Sequence, residues 1–478
     1  MGASTGNCRK RRLRMKIFSV STKDLKFGDR LVPSFYYYTK IIREKNIQNR
    51  MECIMLGEYS TISDGEHSHI SRNKREGVRY LYGRNIKEGV IDFDEISDDP
   101  YIKPTDYEAY PRCHIQQNDV LIAIYGTVGK SAVYRKEYVG KAGIPRHISN
   151  ISLNKDAPIT PEYLTAYFRS KAGKWQMFSL MTGNIQQLLS LKNLREFEVP
   201  VIDQAIMKLI TNNERTAIEF EIQAHENIKQ AQVLLYEGLN FDIKEIKRDF
   251  SFGVMFSHLK KSNIWSTNYY DKLYVNTAEC LKKYNDAISL QKIVDFGKGD
   301  EVGSYSYNEF IQRKSDDKPF IRTSDIVNWE VDLYPDYYIS DNDLVDIKQN
   351  VKVNDVIFTK DGKIGCVGLI TDADNVVLSS GIEILRVNYL AKDKGITPEY
   401  LFIALSIPEI GRYAAIRRTV VASTIPHLRE ERLKDIEIPI IDTKVMKEIT
   451  KLVKEAFMLK KQRKELLKEN EQIFEKYF

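Results

Sequence analysis

The sequence is short of the features that mark several large classes of protein. Its five cysteines, Cys8, Cys53, Cys113, Cys280 and Cys366, lie far apart. No two have zinc-ligand spacing, and an odd, scattered set points to reduced thiols rather than a disulfide framework. The seven histidines, at 67, 69, 114, 147, 225, 258 and 427, form no metal ladder. Reduced thiols point to the cytoplasm, and no apolar run approaches the roughly 18 residues of a spanning helix, so no membrane span is expected. Arg9-Lys10-Arg11-Arg12 is basic, but no apolar stretch of a secretion signal follows it. Gly6 stands where a myristoylation site has Ser or Thr. Residues 1–15 read as a disordered basic tail.

Catalytic motifs are also broken. Gly126-Thr127-Val128-Gly129-Lys130-Ser131 resembles a phosphate loop, but Ile124 replaces its first glycine. Pro335-Asp336 with Asp346-Ile347-Lys348 has the residue order of a metal-dependent nuclease. However, 341–348 reads as a short capped helix with no counterpart in the first half. Asp98-Asp99-Pro100-Tyr101 lacks the second proline with which amino-methyltransferases hold a flipped base. No catalytic and no metal residues are assigned, and no cofactor is expected in this chain. The reading is a binding module.

What is present is mass, a mild positive charge and repetition. The 478 residues suggest about two to four domains. Hydrophobic residues make up 42%, enough for ordinary cores, and the formal net charge of +6 suits a nucleic-acid partner. Ile159-Thr160-Pro161-Glu162-Tyr163-Leu164 returns unchanged at Ile396–Leu401. Asn118-Asp119-Val120-Leu121 returns as Asn354-Asp355-Val356-Ile357, and Gly126-x-x-Gly129 as Gly362-x-x-Gly365. Tyr80-Leu81 and Ile86 return as Phe320-Ile321 and Ile326. A period this long is the size of a whole domain rather than a solenoid repeat.

Each copy begins β-rich and ends in one long helix. Residues 16–50 read as a strand, a turn and a helix, and 120–134 as a hairpin. Residues 161–180 read as a helix opening on the Thr160 cap with Pro161 in its first turn. The long helices, about 203–238 and 442–477, carry heptad seams. The seam residues are Ile210, Asn213, Ala217, Phe220, Ala224 and Asn227 in the first. In the second they are Ile449, Leu452, Ala456, Leu459, Leu466 and Asn470. Paired antiparallel, the helices would act as a rod about 52 Å long that sets the distance between the two β-rich domains.

Ordered twice along the chain, these motifs resemble the specificity (S) subunit of type I restriction-modification systems. Further points of likeness are Ile62-Ser63-Asp64-Gly65-Glu66-His67 and Thr182-Gly183 leading to Leu194–Pro200. The second copy has Val421-Ala422 for Thr182-Gly183 and lacks the Asp-Gly-x-His segment. The resemblance implies an α+β fold: two tandem-duplicated α/β target-recognition domains, separated by two long antiparallel coiled-coil helices with pseudo-twofold symmetry. The implied boundaries are tail 1–15, recognition domain 16–202, helix 203–240, linker 241–262, recognition domain 263–441 and helix 442–478.

The implied role is recognition of a split site in double-stranded DNA as part of phage defence. Two modification (methyltransferase) subunits would be recruited, with restriction-translocase subunits joining them. S-adenosylmethionine, ATP and Mg would be bound only in those partners. Phosphates call for Lys and Arg, and base edges for Arg, Asn, Gln, Ser and Thr. The expected DNA contacts in the first copy are Arg72, Lys74, Arg75, Arg79, Tyr82, Arg84, Lys130, Arg146, Asn184, Gln186 and Gln187. In the second they are Arg322, Ser324, Lys360, Lys363, Arg417, Arg418, Ser423, Thr424 and His427. The alternatives are the specificity protein of another methylation-linked defence system, a stand-alone Mg-dependent nuclease using Asp336 and Lys348, and a scaffold with no DNA role.

Overall fold

The computed structural model describes residues 51–73, 76–92, 100–182, 187–239, 251–262, 264–283, 286–303, 306–309, 317–340, 347–421 and 426–478, together with Tyr36 and Leu344. The tail, the elements expected in 16–50, and most of the turn at 341–346 lie outside the described residues. The chain is α+β. Four helices organise it: α1, Pro161–Arg169; α2, Gln204–Gly238; α3, Pro398–Ser406; and α4, Thr443–Tyr477.

Each recurrent sequence motif has a local physical cause. The Thr160 hydroxyl accepts the Tyr163 N–H at 3.1 Å, and Thr397 accepts that of Tyr400 at 3.1 Å. Each caps a helix that starts with proline. Each threonine also meets one on a long helix, Thr211 or Thr450, at 2.9 Å. The Tyr163 and Tyr400 hydroxyls donate to the carbonyls of Pro200 and Pro439 at 2.8 and 2.7 Å. Asp203 and Asp442 cap α2 and α4. In the Asn-Asp motif the asparagine takes the left-handed conformation, with φ of 72° at Asn118 and 71° at Asn354. The Asp119 and Asp355 carboxylates then accept the backbone N–H three residues earlier, at 2.8 and 2.7 Å. The expected helix over 161–180 is two helices. Ser170 is extended and caps a second one, Lys171–Leu180, through the Gly173 N–H.

The strands recur in the same order in both halves. In the first, one sheet runs Ser60–Asp64, Ile148–Leu153, Val120–Ala123, Ser131–Val133. In the second, it runs Val294–Lys298, Ile382–Val387, Val356–Thr359, Val367–Leu369. A second sheet runs Arg72–Asn73, Tyr101–Ile102, Val78–Tyr80, Ala142–Gly143 in one unit. In the other it runs Tyr307–Glu309, Tyr337–Ile339, Lys318–Ile321, Val377–Leu378. In both, the last pair is parallel. The second copy lacks the Asp-Gly-x-His segment, as expected, but the matched strand order shows that it keeps the glycine. Gly299 stands where Gly65 does, just past the equivalent strand. A Cβ on Gly65 would sit 2.1 Å from the Ile144 carbonyl oxygen, and one on Gly299 2.1 Å from that of Ser379. Only the glycine is needed there, so the flanking residues differ.

Helices α2 and α4 run antiparallel. Asn213 donates to Asn470 at 3.0 Å, Lys460 donates to Glu221 at 3.0 Å, and Gly238 lies against Ile441. The buried positions on α2 are Ile210, Asn213, Glu214, Ala217, Glu221, Ala224, Ile228, Ala231 and Leu235, with Thr211 and Gln232 beside them. Phe220 and Asn227 are therefore corrected to the flank, one position off a seam held by Glu221 and Ile228. On α4 the seam runs through Met446, Ile449, Val453, Ala456, Lys460, Arg463, Leu467 and Asn470. Leu459 and Leu466 pack half-buried beside Lys460 and Leu467. Both ends of the pair are apolar. Phe474 packs on Tyr163 and Tyr167 of the first unit, with ring centroids 5.7 and 5.8 Å away. Phe457 packs edge-on against Phe402 of the second.

The middle of the pair is charged. Lys460 bridges Glu221 and Glu330, and Lys464 reaches Glu330 at 2.8 Å and Asp374 at 2.7 Å. Burial pushes the Glu330 carboxyl up, but Lys460, Lys464 and Arg463 outweigh it and bring it down to about 2. A buried ion cluster adds little net stability, yet removing one member leaves its partners uncompensated. The helices are also not the only link between the units. Lys87 of the first donates to the Ser324 carbonyl of the second at 3.2 Å, and Asn328 donates to the Ile91 carbonyl at 3.0 Å.

Candidate nucleic-acid interface

In each unit the Gly-x-x-Gly hairpin gathers three other loops around it. Gly126 and Gly129 have φ of 74° and 87°, and Gly362 and Gly365 have 62° and 84°, so glycine is required at all four. In the first unit Ile124 donates its N–H to the His147 carbonyl at 3.0 Å, and Leu189 donates to Ile124 at 3.1 Å. The Thr127 hydroxyl reaches the Gly83 carbonyl at 3.3 Å. In the second unit Lys360 donates its N–H to the Gly381 carbonyl at 2.8 Å, and Leu428 donates to Lys360 at 2.9 Å. A Cβ on Gly381 would meet Thr323, which ties in the 322–325 loop. One backbone frame thus presents the same four loops twice.

The first unit lines its loops with cations and rings. Two guanidinium groups lie over the Tyr82 ring, Arg72 at 3.6 Å and Arg84 at 4.2 Å from its centroid. Arg72 also donates to the Tyr80 carbonyl at 2.8 Å, which fixes the stack. Arg84, Arg146 and Gln187 are exposed. His147 meets Tyr125 edge-on at 5.5 Å, and burial with the nearby Arg146 and Arg72 lowers its pKa. Arg79 sits apart from this group. It rests on the Tyr101 ring at 5.5 Å, and its charge reaches His225 on α2.

The second unit mixes carboxylates with its cations. Arg322 grips Asp325 at 3.0 Å and Asp336 at 2.7 Å and lies over Tyr337. His427 pairs with Asp361 at the hairpin tip. A cleft of about 260 Å³ between these loops is lined by Asp300, Glu301, Tyr307, Arg322, Asp361 and Ser380. Ser324 is exposed at its edge. Arg417 and Arg418 lie elsewhere. Arg417 donates to the Tyr269 carbonyl at 3.1 Å, and Arg418 donates to that of Ala414 at 3.1 Å. Burial and Arg417 lower the Arg418 pKa.

Two expected contacts are corrected. Lys130 is buried and pairs with Asp336 across the units at 2.8 Å. Lys360 is buried and pairs with Glu383 at 2.6 Å. Neither ammonium is presented on the surface. Lys363 points toward the first unit, 3.5 Å from Asp92. Lys74, Arg75, Asn184, Gln186, Ser423 and Thr424 lie outside the described residues. Tyr125, Asp361, Asp300 and Glu301 were not among the residues expected at the loops. Position relative to the paired glycines would have found Tyr125 and Asp361, each directly before the first of them. Asp336, considered from the sequence as a metal ligand, is engaged by Lys130 and Arg322. Burial pushes its carboxyl up, but these two cations outweigh it and hold it at about 2.

An α+β frame that offers arginines, a ring-stacked guanidinium and small polar residues on repeated loops suits contact with phosphates and base edges. Residues 288–469 match the family model of the type I restriction modification DNA specificity domain. The chain carries that domain in its second half, as its resemblance to type I specificity subunits led one to expect, and its function is DNA sequence recognition. Solved structures similar to this chain include the type I restriction-modification system S subunit from M. genitalium, at 12% identity and a TM-score of 0.30. That alignment covers 89% of this chain and 94% of the other. The HsdS subunit from Thermoanaerobacter tengcongensis matches at 15% identity and a TM-score of 0.27, covering 90% and 96%. A structure described as showing complex assembly and conformational transition of the type I R-M system matches at 13% identity and 0.27, covering 88% and 95%. No curated protein matches. Among the described residues, no helix is long and apolar enough to cross a membrane.

Proposed function

We propose that this chain reads a bipartite DNA site, one half with each α/β unit. The two units are duplicated target-recognition domains, 16–202 and 263–441. The long helices, 203–240 and 442–478, form the coiled coil between them. The observation that carries this reading is the second appearance of one four-loop frame with different side chains on it. Equal frames set equal modes of approach to DNA, and unequal side chains select unequal half-sites. Arg84, Arg146, Tyr82 and Gln187 act in the first half-site, and Ser324, Arg322 and His427 in the second.

The chain itself catalyses nothing in this reading. It recruits two methyltransferase subunits, which bind S-adenosylmethionine, and restriction-translocase subunits that use ATP and Mg. Selection from random duplexes by the full chain, followed by methylation mapping of its assembled complex, tests it. Two short unlike sequences at a fixed gap are expected. Cleavage or methylation by the chain alone would overturn it.

A further inference from the structure

The recognition hairpins of the two units are tied to each other. Lys130 leaves the hairpin of the first unit and pairs with Asp336 of the second at 2.8 Å. Its side chain is 8% exposed. Lys363 leaves the hairpin of the second unit and reaches Asp92 of the first at 3.5 Å, where the carboxylate is 1% exposed. The loops behind them also meet. Lys87 caps the Ser324 carbonyl, and the Asn328 amide donates to the Ile91 carbonyl. The same amide lies 3.1 Å from the Tyr138 hydroxyl and 3.3 Å from Glu221 of α2. Asn328 therefore joins the first unit, the second unit and the helix pair at one point. Its φ of 46°, and the 66° of its neighbour Trp329, are left-handed values that asparagine tolerates and tryptophan does not favour. The surrounding packing holds this turn in place, since Trp329 is 2% exposed.

We infer that this cross-tie, rather than the helices alone, fixes the gap between the two half-sites, with Lys130 and Lys363 as positioning residues. The inference rests on the reading that each unit takes one half-site. The helices set how far apart the unit cores lie, but a hinge at either helix end would still change the offset of the two reading faces. Reciprocal ties from hairpin to opposite unit remove that freedom close to the DNA. Ion pairs with one partner buried suit this role, because they specify one geometry while adding little net stability.

The test uses the full chain and its double variant Lys130→Met/Lys363→Met, with Lys130→Arg/Lys363→Arg to keep the charges. Duplexes of random sequence are selected on each protein and sequenced. The wild type and the arginine variant should prefer one gap over gaps one base pair shorter or longer by about tenfold or more. The methionine variant should lose most of that preference while recovering the same two half-site sequences. An unchanged gap preference in the methionine variant overturns the inference. If the wild type recovers no paired half-sites, the functional reading itself fails. The tie is then judged by spin-label distances between exposed Ala109→Cys and Val353→Cys, with Cys8, Cys53 and Cys280 replaced by serine. One narrow distance should broaden in the methionine variant, and a distance that stays narrow overturns the tie on its own.

Discussion

The two units share a backbone and differ in what they bury and show. At the root of the hairpin the first unit has Ile124 with Ser149 on the neighbouring strand. The second has Lys360 with Glu383, both buried and 2.6 Å apart. At the loop ends the first unit shows Arg84 over the Tyr82 ring and an exposed Arg146, while the second sets Asp361, Asp300 and Glu301 among its cations. Glycine, left-handed asparagine, capping threonine and tyrosine hydroxyl are the same in both. Backbone geometry was kept where a side chain or its absence is sterically forced. Chemistry diverged where the frame only needs something of the right size.

The comparison can be broken at several levels. The largest effect belongs to what the units share. Lys460→Met strips the cation from between Glu221 and Glu330, so about 3–5 kcal/mol of stability should be lost. Urea unfolding should report it, with tryptophan and far-ultraviolet signals moving together because α2 and α4 enter both cores. Next comes the buried pair found in the second unit. Lys360→Met should cost about 3 kcal/mol by leaving Glu383 alone. Lys360→Ile with Glu383→Ser, which installs the residues of the first unit, should recover most of that loss. A double variant as unstable as the single would mean that the two frames are not interchangeable at this level.

A smaller effect is set by pH. Burial, then Lys229 and Lys460, lower the His225 pKa to about 3. A folded pKa below the unfolded one gives stability that is present above the unfolded value and is lost as pH falls below it. Between pH 6.5 and 5 the wild type should lose about 2 kcal/mol through this residue. His225→Gln should flatten that part of the profile, as urea titrations at each pH would show. The smallest effect concerns DNA. Arg84→Ala, if it removes one phosphate contact, should lower the salt slope of binding by about one unit and weaken all sequences alike.

Much of this frame was legible in the sequence because its constraints are local. A Thr-Pro cap, an Asn-Asp turn and paired glycines each follow from a few adjacent residues, and their recurrence exposed the period. The Gly299 equivalence was hidden because one glycine carries it and its neighbours changed. The helix seam was placed one residue off at Phe220 and Asn227, because Glu221 and Lys460 look like surface residues until their mutual pairing is known. Lys130 and Lys360 were assigned to DNA for the same reason. A lysine beside a glycine turn looks exposed, and only the fold brings Asp336 and Glu383 to meet it. The ties between the units join residues that are more than 200 positions apart and follow no pattern along the chain.

The most direct test of the central claim is selection from random duplexes by three forms of the full chain. One is the wild type, one carries Arg146→Ala with Gln187→Ala, and one carries Ser324→Ala with His427→Ala. The wild type should recover two unlike half-sites at a fixed gap. The first variant should relax one half-site and leave the other intact, and the second should do the reverse. Removing a side chain that reads a base should lower discrimination at that position by about 1–3 kcal/mol. One continuous site, or relaxation of the same positions by both variants, would contradict the account.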